Sequence, residues 1–317
     1  MRFDVYADRL ARETSTPGDP WMRLTLHHLA ARDMGIAPTG GATDDWQNRA
    51  LKSMRQPDEN LDTWQLTDWF DRTFDAGRIT AADVHLLPVG SFAMTFRFTL
   101  RTPYLSRGVD VLMPTENPIL REPVFQTPMV ATTSWKGMLR DTMADENAFK
   151  ATSDDLLEKE LRNLFGPPTG ENDSPVRIQG AIRITPTFFG KTGREVISPH
   201  SRDTKVVREG RGPIGLETVP AKASGWFRAI YVPVDQTRNG AIGDVLAHSL
   251  KVLEALRRAL KSLLLIRGIG AKTSSGFGLA TNSLAEPARI FVRETDGVAV
   301  FREIESLPKL TGQLVQL

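Results

Sequence analysis

The chain has 317 residues, no cysteine, 40% hydrophobic content, and 40 Lys+Arg against 38 Asp+Glu for a formal net charge of +2. That length and apolar content can fill the core of one large or two modest domains, and the missing thiols exclude disulfides and thiolate metal sites. Near-balanced charge excludes a partner chosen by bulk electrostatics, so any basic surface has to be local. The opening MRFDVYADRLARE lacks the apolar centre of a leader, and no window of about 18 residues is apolar enough to span a bilayer. The expectation is a soluble, cytoplasmic protein.

Before residue 90 the pattern is that of short amphipathic helices, Trp21 to Asp33, Trp46 to Arg55 and Leu61 to Phe74, separated by the loop-like GIAPTGGATDD and RQPDEN. Trp46, Trp64 and Trp69 read as core anchors of a small helical unit, with a partner-docking face as the other reading. The period then changes to two. Phe92, Met94, Phe96, Phe98 and Leu100 alternate with Ala93, Thr95, Arg97 and Thr99, the pattern of a half-buried strand. From Pro103 to Pro128 five prolines argue against a regular helix or central strand, so this insertion, residues 103–130, is expected to lie over the surface as a functional loop. Thr133 or Ser134 then caps a helix running WKGMLRDTM, and DDLLEKELRNLF forms a second helix stopped at Gly166.

The remainder alternates again. Val176 to Thr185 reads as a strand, residues 186–222 as a polar excursion rich in Gly and Arg, and Trp226 to Val232 as the next strand. Val245 to Ile266 carries Leu246, Leu250, Leu253, Leu256, Leu260, Leu263 and Leu264 at helical spacing, with a stop at Arg267-Gly268. Phe277 to Leu284 is expected as a last core strand, followed by a hairpin around Asp296-Gly297. The order β-α-β-β-α-β places the chain in the α+β class, as a ferredoxin-like or RRM-type antiparallel sheet with helices on one face. Residues 1–90 form a helical N-terminal region and 91–317 the sheet domain, with insertions at 103–130 and 186–222.

Two places carry chemistry suited to a polyanion. A helix start presents unpaired N–H groups and a partial positive charge to a phosphate. Thr133 and Ser134 can cap it or offer hydroxyls, while Lys136 and Arg140, four apart, share a side. Gly268, Gly270, Gly276 and Gly278 let backbone approach a ligand, and Lys272, Ser274 and Ser275 supply donors. An ordinary capped helix and a plain tight connection are the competing readings. A nucleotide P-loop is disfavoured, because the order here is helix, loop, strand. The excursion sets Arg194, His200, Arg202, Lys205, Arg208 and Arg211 against Glu195, Asp203, Glu209 and Glu217, a net basic mix.

The segment NPILREPVFQTPMVATTSWKGMLR, residues 117–140, resembles the passage from first strand to helix in backbone subunits of type III CRISPR effectors, members of the RAMP superfamily. Thr133-Ser134-Trp135-Lys136-Gly137 stands where the family has Ser-Ser-x-Lys-Gly, and Arg140 is in place. Leu164-Phe165-Gly166 matches the Leu-Phe-Gly that follows, and GIGAKTSSGFG, residues 268–278, is similar to the superfamily's glycine-rich loop. The resemblance implies a guide-RNA-binding subunit of a ribonucleoprotein, in which the 186–222 excursion is a thumb-like hairpin carrying His200, Arg202 and Lys205 against the guide-target duplex. The implied partners are guide RNA, target RNA, other RAMP-type subunits and the large subunit, with no membrane.

RNA binding of this kind needs no cofactor, and Mg2+ enters only if the chain cuts. Cleaving relatives carry an aspartate two residues before the Pro of an apolar-Pro step. Pro118 puts that position at Glu116, whose extra methylene shifts the oxygens, so weak or no cleavage is expected. Asp110 lies in the same loop as a substitute, with both acids as solvated loop residues the plain alternative. Two other functions stay open: a guide-processing endoribonuclease of the same superfamily, for which His200 could serve as acid or base, and an RRM-like protein scaffold.

Overall fold

Every second residue from Phe92 to Leu100 is fully buried, and this apolar row organises the molecule. The computed structural model describes residues 79–108, 117–123, 127–167, 179–197, 214–233, 241–293 and 298–306. The three helices expected between residues 21 and 74 lie outside that set. Strand β1 (Phe92–Thr99) is the middle of a five-stranded sheet. It pairs antiparallel with β7 (Ser224–Tyr231) on one side and with β8 (Ser283–Val292) on the other. The short β3 (Ile182–Ile184) pairs with β7, and β9 (Val298–Glu303) with β8, giving the order β3-β7-β1-β8-β9. The architecture is α+β with an antiparallel sheet.

Helices cover one face. Helix α2 (Thr132–Asp145) buries Trp135, Leu139 and Met143, and α3 (Asp154–Phe165), capped by the Ser153 hydroxyl, buries Leu161, Leu164 and Phe165. Helix α4 (Ile242–Ser262) follows β7 and runs into a π-helical turn, Leu263–Arg267, that stops at Gly268 with φ +86°. Its apolar residues at spacings of three and four are the ones buried, Leu253, Leu256 and Leu260 among them. Aromatic rings knit the core: Phe96 stacks on Phe227 at 5.1 Å, and Trp135 meets Phe98 edge-on at 6.1 Å. On the other face a short helix, α1 (Ala81–His85), packs Val84 against Ala93 and Phe291.

Several expectations need correction. Helix α2 begins at Thr132 with Ala131 as its cap, so Thr133 and Ser134 sit inside the first turn and cap nothing. The final core strand starts at Ser283. Phe277 and Gly278 belong to a turn instead, because Gly276 and Gly278 take left-handed φ of +83° and +76°, which an extended strand does not use, and before Ser283 only an isolated bridge between Ala280 and Leu100 forms. Pro287 falls where two residues of β8 are accommodated opposite Phe96, a bulge that tolerates the missing N–H. Of the strand expected from Val176 to Thr185, residues 176–178 lie outside the described set, and of residues 179–185 only Ile182–Ile184 are strand; Gly180 lies against the backbone of Phe165.

The described parts of the proline-rich stretch are packed against the domain and do not run free over its surface. Tyr104 bridges to Val219 and Leu105 to Gly270, Pro118, Ile119, Arg121 and Pro128 are buried, and β2 (Met129–Val130) pairs with β4 (Thr187–Phe188). The excursion begins as an ordered ribbon, β5 (Gly193–Ile197) paired antiparallel with β6 (Ile214–Thr218). Among the described residues no helix is long and apolar enough to cross a membrane.

Candidate nucleic-acid interface

Helix α2 is the organiser of the candidate site, and four contacts fix it. The Trp135 indole N–H donates to Thr187 Oγ1 at 3.0 Å, and the Thr187 hydroxyl donates to the Trp226 carbonyl at 2.6 Å. Thr132 Oγ1 donates to the Ile184 carbonyl at 3.0 Å. Midway, the Gly270 N–H donates to Met138 Sδ at 3.1 Å, which seats the glycine loop on the helix. At the far end Asp145 pairs with Arg267 of the π-helical turn at 2.6 Å. With Trp135 driven into the core, its neighbours are left half-buried at the surface: Ser134, Lys136, and beyond them exposed Thr133 and Gly137.

Lys136 is the cation of this surface. Partial burial lowers its pKa, and the nearby Arg183 guanidinium lowers it further. No carboxylate pairs with it among the described residues. Arg183, on the edge strand β3, donates to the Gly180 carbonyl. Two positive side chains are thus held within each other's field at a helix start, an arrangement that an anion relieves.

Arg140 is used differently. Its guanidinium donates to the Gly166 carbonyl at 2.9 Å and pairs with Glu158 of α3, leaving the side chain 18% exposed. The motif residues Arg140 and Leu164-Phe165-Gly166 therefore meet each other, and Arg140 does not converge with Lys136 on a common outward face.

The glycine loop divides into a packed half and an open half. Gly268, Gly270 and Gly278 all have positive φ, and a Cβ at any of them would collide with backbone: Phe277 O, Leu105 O and Ile269 O respectively. Hydrogen bonds from Ala271 N–H to Leu105 O at 2.8 Å and from Gly278 N–H to Pro103 O at 2.8 Å stitch this half to the segment after β1. The close approach that Gly270 permits is thus to the chain's own Leu105 and Tyr104. The open half is Lys272, in the left-handed region at φ +55°, the 3-10 turn Thr273–Ser275, and Gly276, whose α-hydrogens face empty space. Lys272, Ser274 and Ser275 are exposed.

A contact that sequence reading missed anchors the hairpin. Glu217 of β6 forms a buried ion pair with Arg121 and accepts the Ile119 N–H at 3.0 Å. Asn117 O accepts the Glu217 N–H at 3.3 Å. Glu116, Asp110, His200, Arg202 and Lys205 lie outside the described residues. No group of three or more His, Asp or Glu side chains that could hold a metal ion occurs among the described ones.

The fold and this surface define an α+β scaffold that carries a lysine-bearing helix start beside a glycine-shaped loop. A family model described as the RAMP superfamily matches residues 97–281, from β1 through the glycine loop. This is more than half of the chain, and the chain belongs to that superfamily. Among solved structures, one chain of the type III-B Cmr-beta complex bound to cognate target RNA superposes with a TM-score of 0.49 at 17% identity, covering 94% of this chain and 99% of that one. A chain of a CRISPR RNA-guided surveillance complex gives 0.39 at 15% identity, covering 63% and 68%. No curated protein matches the chain in sequence.

Proposed function

We propose that this chain is a guide-RNA-binding subunit of a type III CRISPR ribonucleoprotein, gripping the RNA backbone without reading its sequence. Membership of the RAMP superfamily and the motif resemblance support the class. The observation that carries the reading is half-buried Lys136 in the first turns of α2, to which no carboxylate is paired among the described residues, with the loop that presents Lys272, Ser274 and Ser275 seated on the same helix through Gly270. Backbone donors and cations of this kind bind phosphates and leave base edges unread. The strand order supports a ferredoxin-like arrangement, and the β5–β6 ribbon supports reading the excursion as a thumb-like hairpin, for which His200, Arg202 and Lys205, outside the described residues, are the proposed contacts to guide and target RNA. Other RAMP-type subunits and the large subunit are the protein partners.

The test is fluorescence anisotropy with unrelated single-stranded RNAs at several salt concentrations. Lys136→Ala is expected to weaken all of them alike, on the order of tenfold, and to reduce the salt slope by about 0.7 for one lost phosphate contact. Arg140→Ala, which breaks the contact to Gly166, is expected to lower the melting temperature and leave the slope unchanged. A loss confined to one RNA sequence, or an unchanged slope in Lys136→Ala, overturns the reading.

A further inference from the structure

The segment that leaves β1 carries two exposed arginines, Arg101 and Arg107, and the backbone brings an exposed lysine to each from elsewhere in the chain. The first pair forms where the β1–β7 ladder ends. Beyond Thr99 and Ser224, Leu100 N–H donates to Ala223 O at 2.9 Å, and the carbonyl of the Leu100–Arg101 peptide accepts Lys222 N–H at 2.8 Å. Lys222 and Ala223 thus face Leu100 together, a bulge whose first residue is left-handed and is ordinarily a glycine. Lys222 holds that place at φ +70°. Its side chain and that of Arg101 therefore spring from either side of one hydrogen bond.

The second pair forms where the same segment meets the glycine loop. Leu279 O accepts the Arg101 N–H at 2.7 Å, and Thr102 Oγ1 accepts the Leu279 N–H at 2.9 Å. Leu105 then bridges Gly270 in parallel. Arg107 and Lys272 each stand two residues past that bridge and leave it in the same direction. Lys272 is the other lysine in the left-handed region here, at φ +55°. Among the described residues none of the four side chains has a hydrogen bond or an ion pair. Glu303 and Glu305, which reach this end of the sheet beside Ser283 and Asn282, pair with none of them. Like charges set side by side across strands disfavour the fold, and a lysine where glycine would be unstrained adds to that cost. Both terms are relieved or repaid by an anion held between the cations.

We propose that Arg101 and Lys222 form a phosphate site at the end of the sheet, continuous through Arg107 with Lys272, so that an RNA backbone gripped at the start of α2 runs on along the segment after β1. The inference rests on the RNA-binding reading above and gives the strand its path. Arg107 is six positions beyond Arg101, a reach of at most about 20 Å, over which a single strand lays several phosphates. An acidic protein would meet the same charges, but two cation pairs strung along one segment that leads into the glycine loop fit a continuous polyanion.

The full-length chain is titrated with a fluorescein-labelled 12-residue oligouridine at several salt concentrations. Arg101→Gln/Lys222→Gln is expected to weaken binding on the order of tenfold and to reduce the salt slope by about 1.4, two contacts at 0.7 each. Lys222→Gly separates binding from folding: it is expected to raise the melting temperature, because glycine is unstrained at that φ, while lowering the slope by about 0.7. A melting temperature that falls along with affinity would make Lys222 structural and sink the site. Loss in Lys136→Ala with the glutamine pair unchanged keeps the earlier reading and overturns this path. Loss in the glutamine pair with Lys136→Ala unchanged removes Lys136 from the grip and leaves the sheet-end site standing. Glutamine variants that keep the slope but drop out of the assembled complex mark a protein contact, which also refutes the proposal. Should the glutamine pair fail to fold, photocrosslinking of 4-thiouridine RNA to the wild-type chain decides: labelling within residues 99–107 or 219–224 is expected, and its absence rules the path out.

Discussion

Arg121 and Glu217 form an ion pair with each side chain only 5% exposed, joining the stretch after β1 to the base of the β5–β6 ribbon. Breaking such a pair from one side strands a charge in the interior and typically costs about 3–5 kcal/mol, whereas replacing both partners with apolar residues is far milder. Glu217→Ala is therefore expected to shift the urea midpoint sharply downward, and Arg121→Met/Glu217→Leu to recover most of the loss. Equal midpoints for the single and double variants would show that the pair holds nothing together.

Gly270 and Gly276 share a left-handed backbone but differ in their surroundings, so they separate strain from packing. Gly276→Ala meets open space and is expected to cost only the left-handed penalty, about 1–2 kcal/mol. Gly270→Ala adds a collision with Leu105 O and the Tyr104 ring, and is expected to lower the melting temperature several times as much or to prevent soluble expression. Matching melting curves would mean that the Leu105 segment moves aside freely.

Burial pushes the Tyr104 hydroxyl up to about 12, with a hydrogen bond from Ser106 acting in the opposite direction. A phenol whose folded pKa lies above its unfolded value near 10 adds stability that is complete below pH 10 and is lost as pH rises toward 12. Denaturation midpoints measured from pH 8 to 11 are expected to hold level and then fall. Tyr104→Phe is expected to start lower, lacking the bond to Met129 O, and to fall less steeply.

Glu116 immediately precedes Asn117, whose carbonyl is held by Glu217. By the motif resemblance Glu116, which lies outside the described residues, stands where cleaving relatives carry an aspartate, and a carboxylate displaced by about one bond length costs on the order of a hundredfold in rate. Wild-type complex is expected to cut end-labelled target RNA poorly opposite this subunit. Glu116→Asp is expected to raise magnesium-dependent cutting, and Glu116→Ala to change little. Efficient wild-type cleavage abolished by Glu116→Ala, or by Asp110→Ala, would show that one of these acids is already catalytic.

What the sequence made legible is what repeats locally. The alternation of β1, the leucine spacing of α4 and the stop at Gly166 each follow from a few neighbouring residues and match the structure. Contacts between distant residues were hidden. Arg121 and Glu217 are 96 positions apart, and each alone looks like an ordinary solvated charge. Five prolines argue against regular structure between Pro103 and Pro128, and the described residues of that stretch form no helix and only isolated bridges, but prolines carry no information about burial. Helical spacing put Lys136 and Arg140 on one side of α2 without saying that α3 and Gly166 wait beneath Arg140. At the candidate site, motif spacing located Lys136 and the glycine loop, while the division of that loop into packed and open halves depended on Leu105, far away in sequence.

Because β1 lies mid-sheet, its two neighbours are supplied late in synthesis. Phe92 pairs with Tyr231 and with Val292, the latter 200 positions downstream. At about 5–20 residues per second, the interval between emergence of β1 and of β8 is roughly 10–40 s. Until β7 emerges the run Phe92-Ala93-Met94-Thr95-Phe96 has both edges open, and from then until β8 emerges one edge stays open, long enough for a nascent chain to meet a chaperone or another copy of itself. Yield of the folded chain is thus set in part by the pace of translation across residues 100–292, and slowing the ribosome there lengthens the vulnerable window.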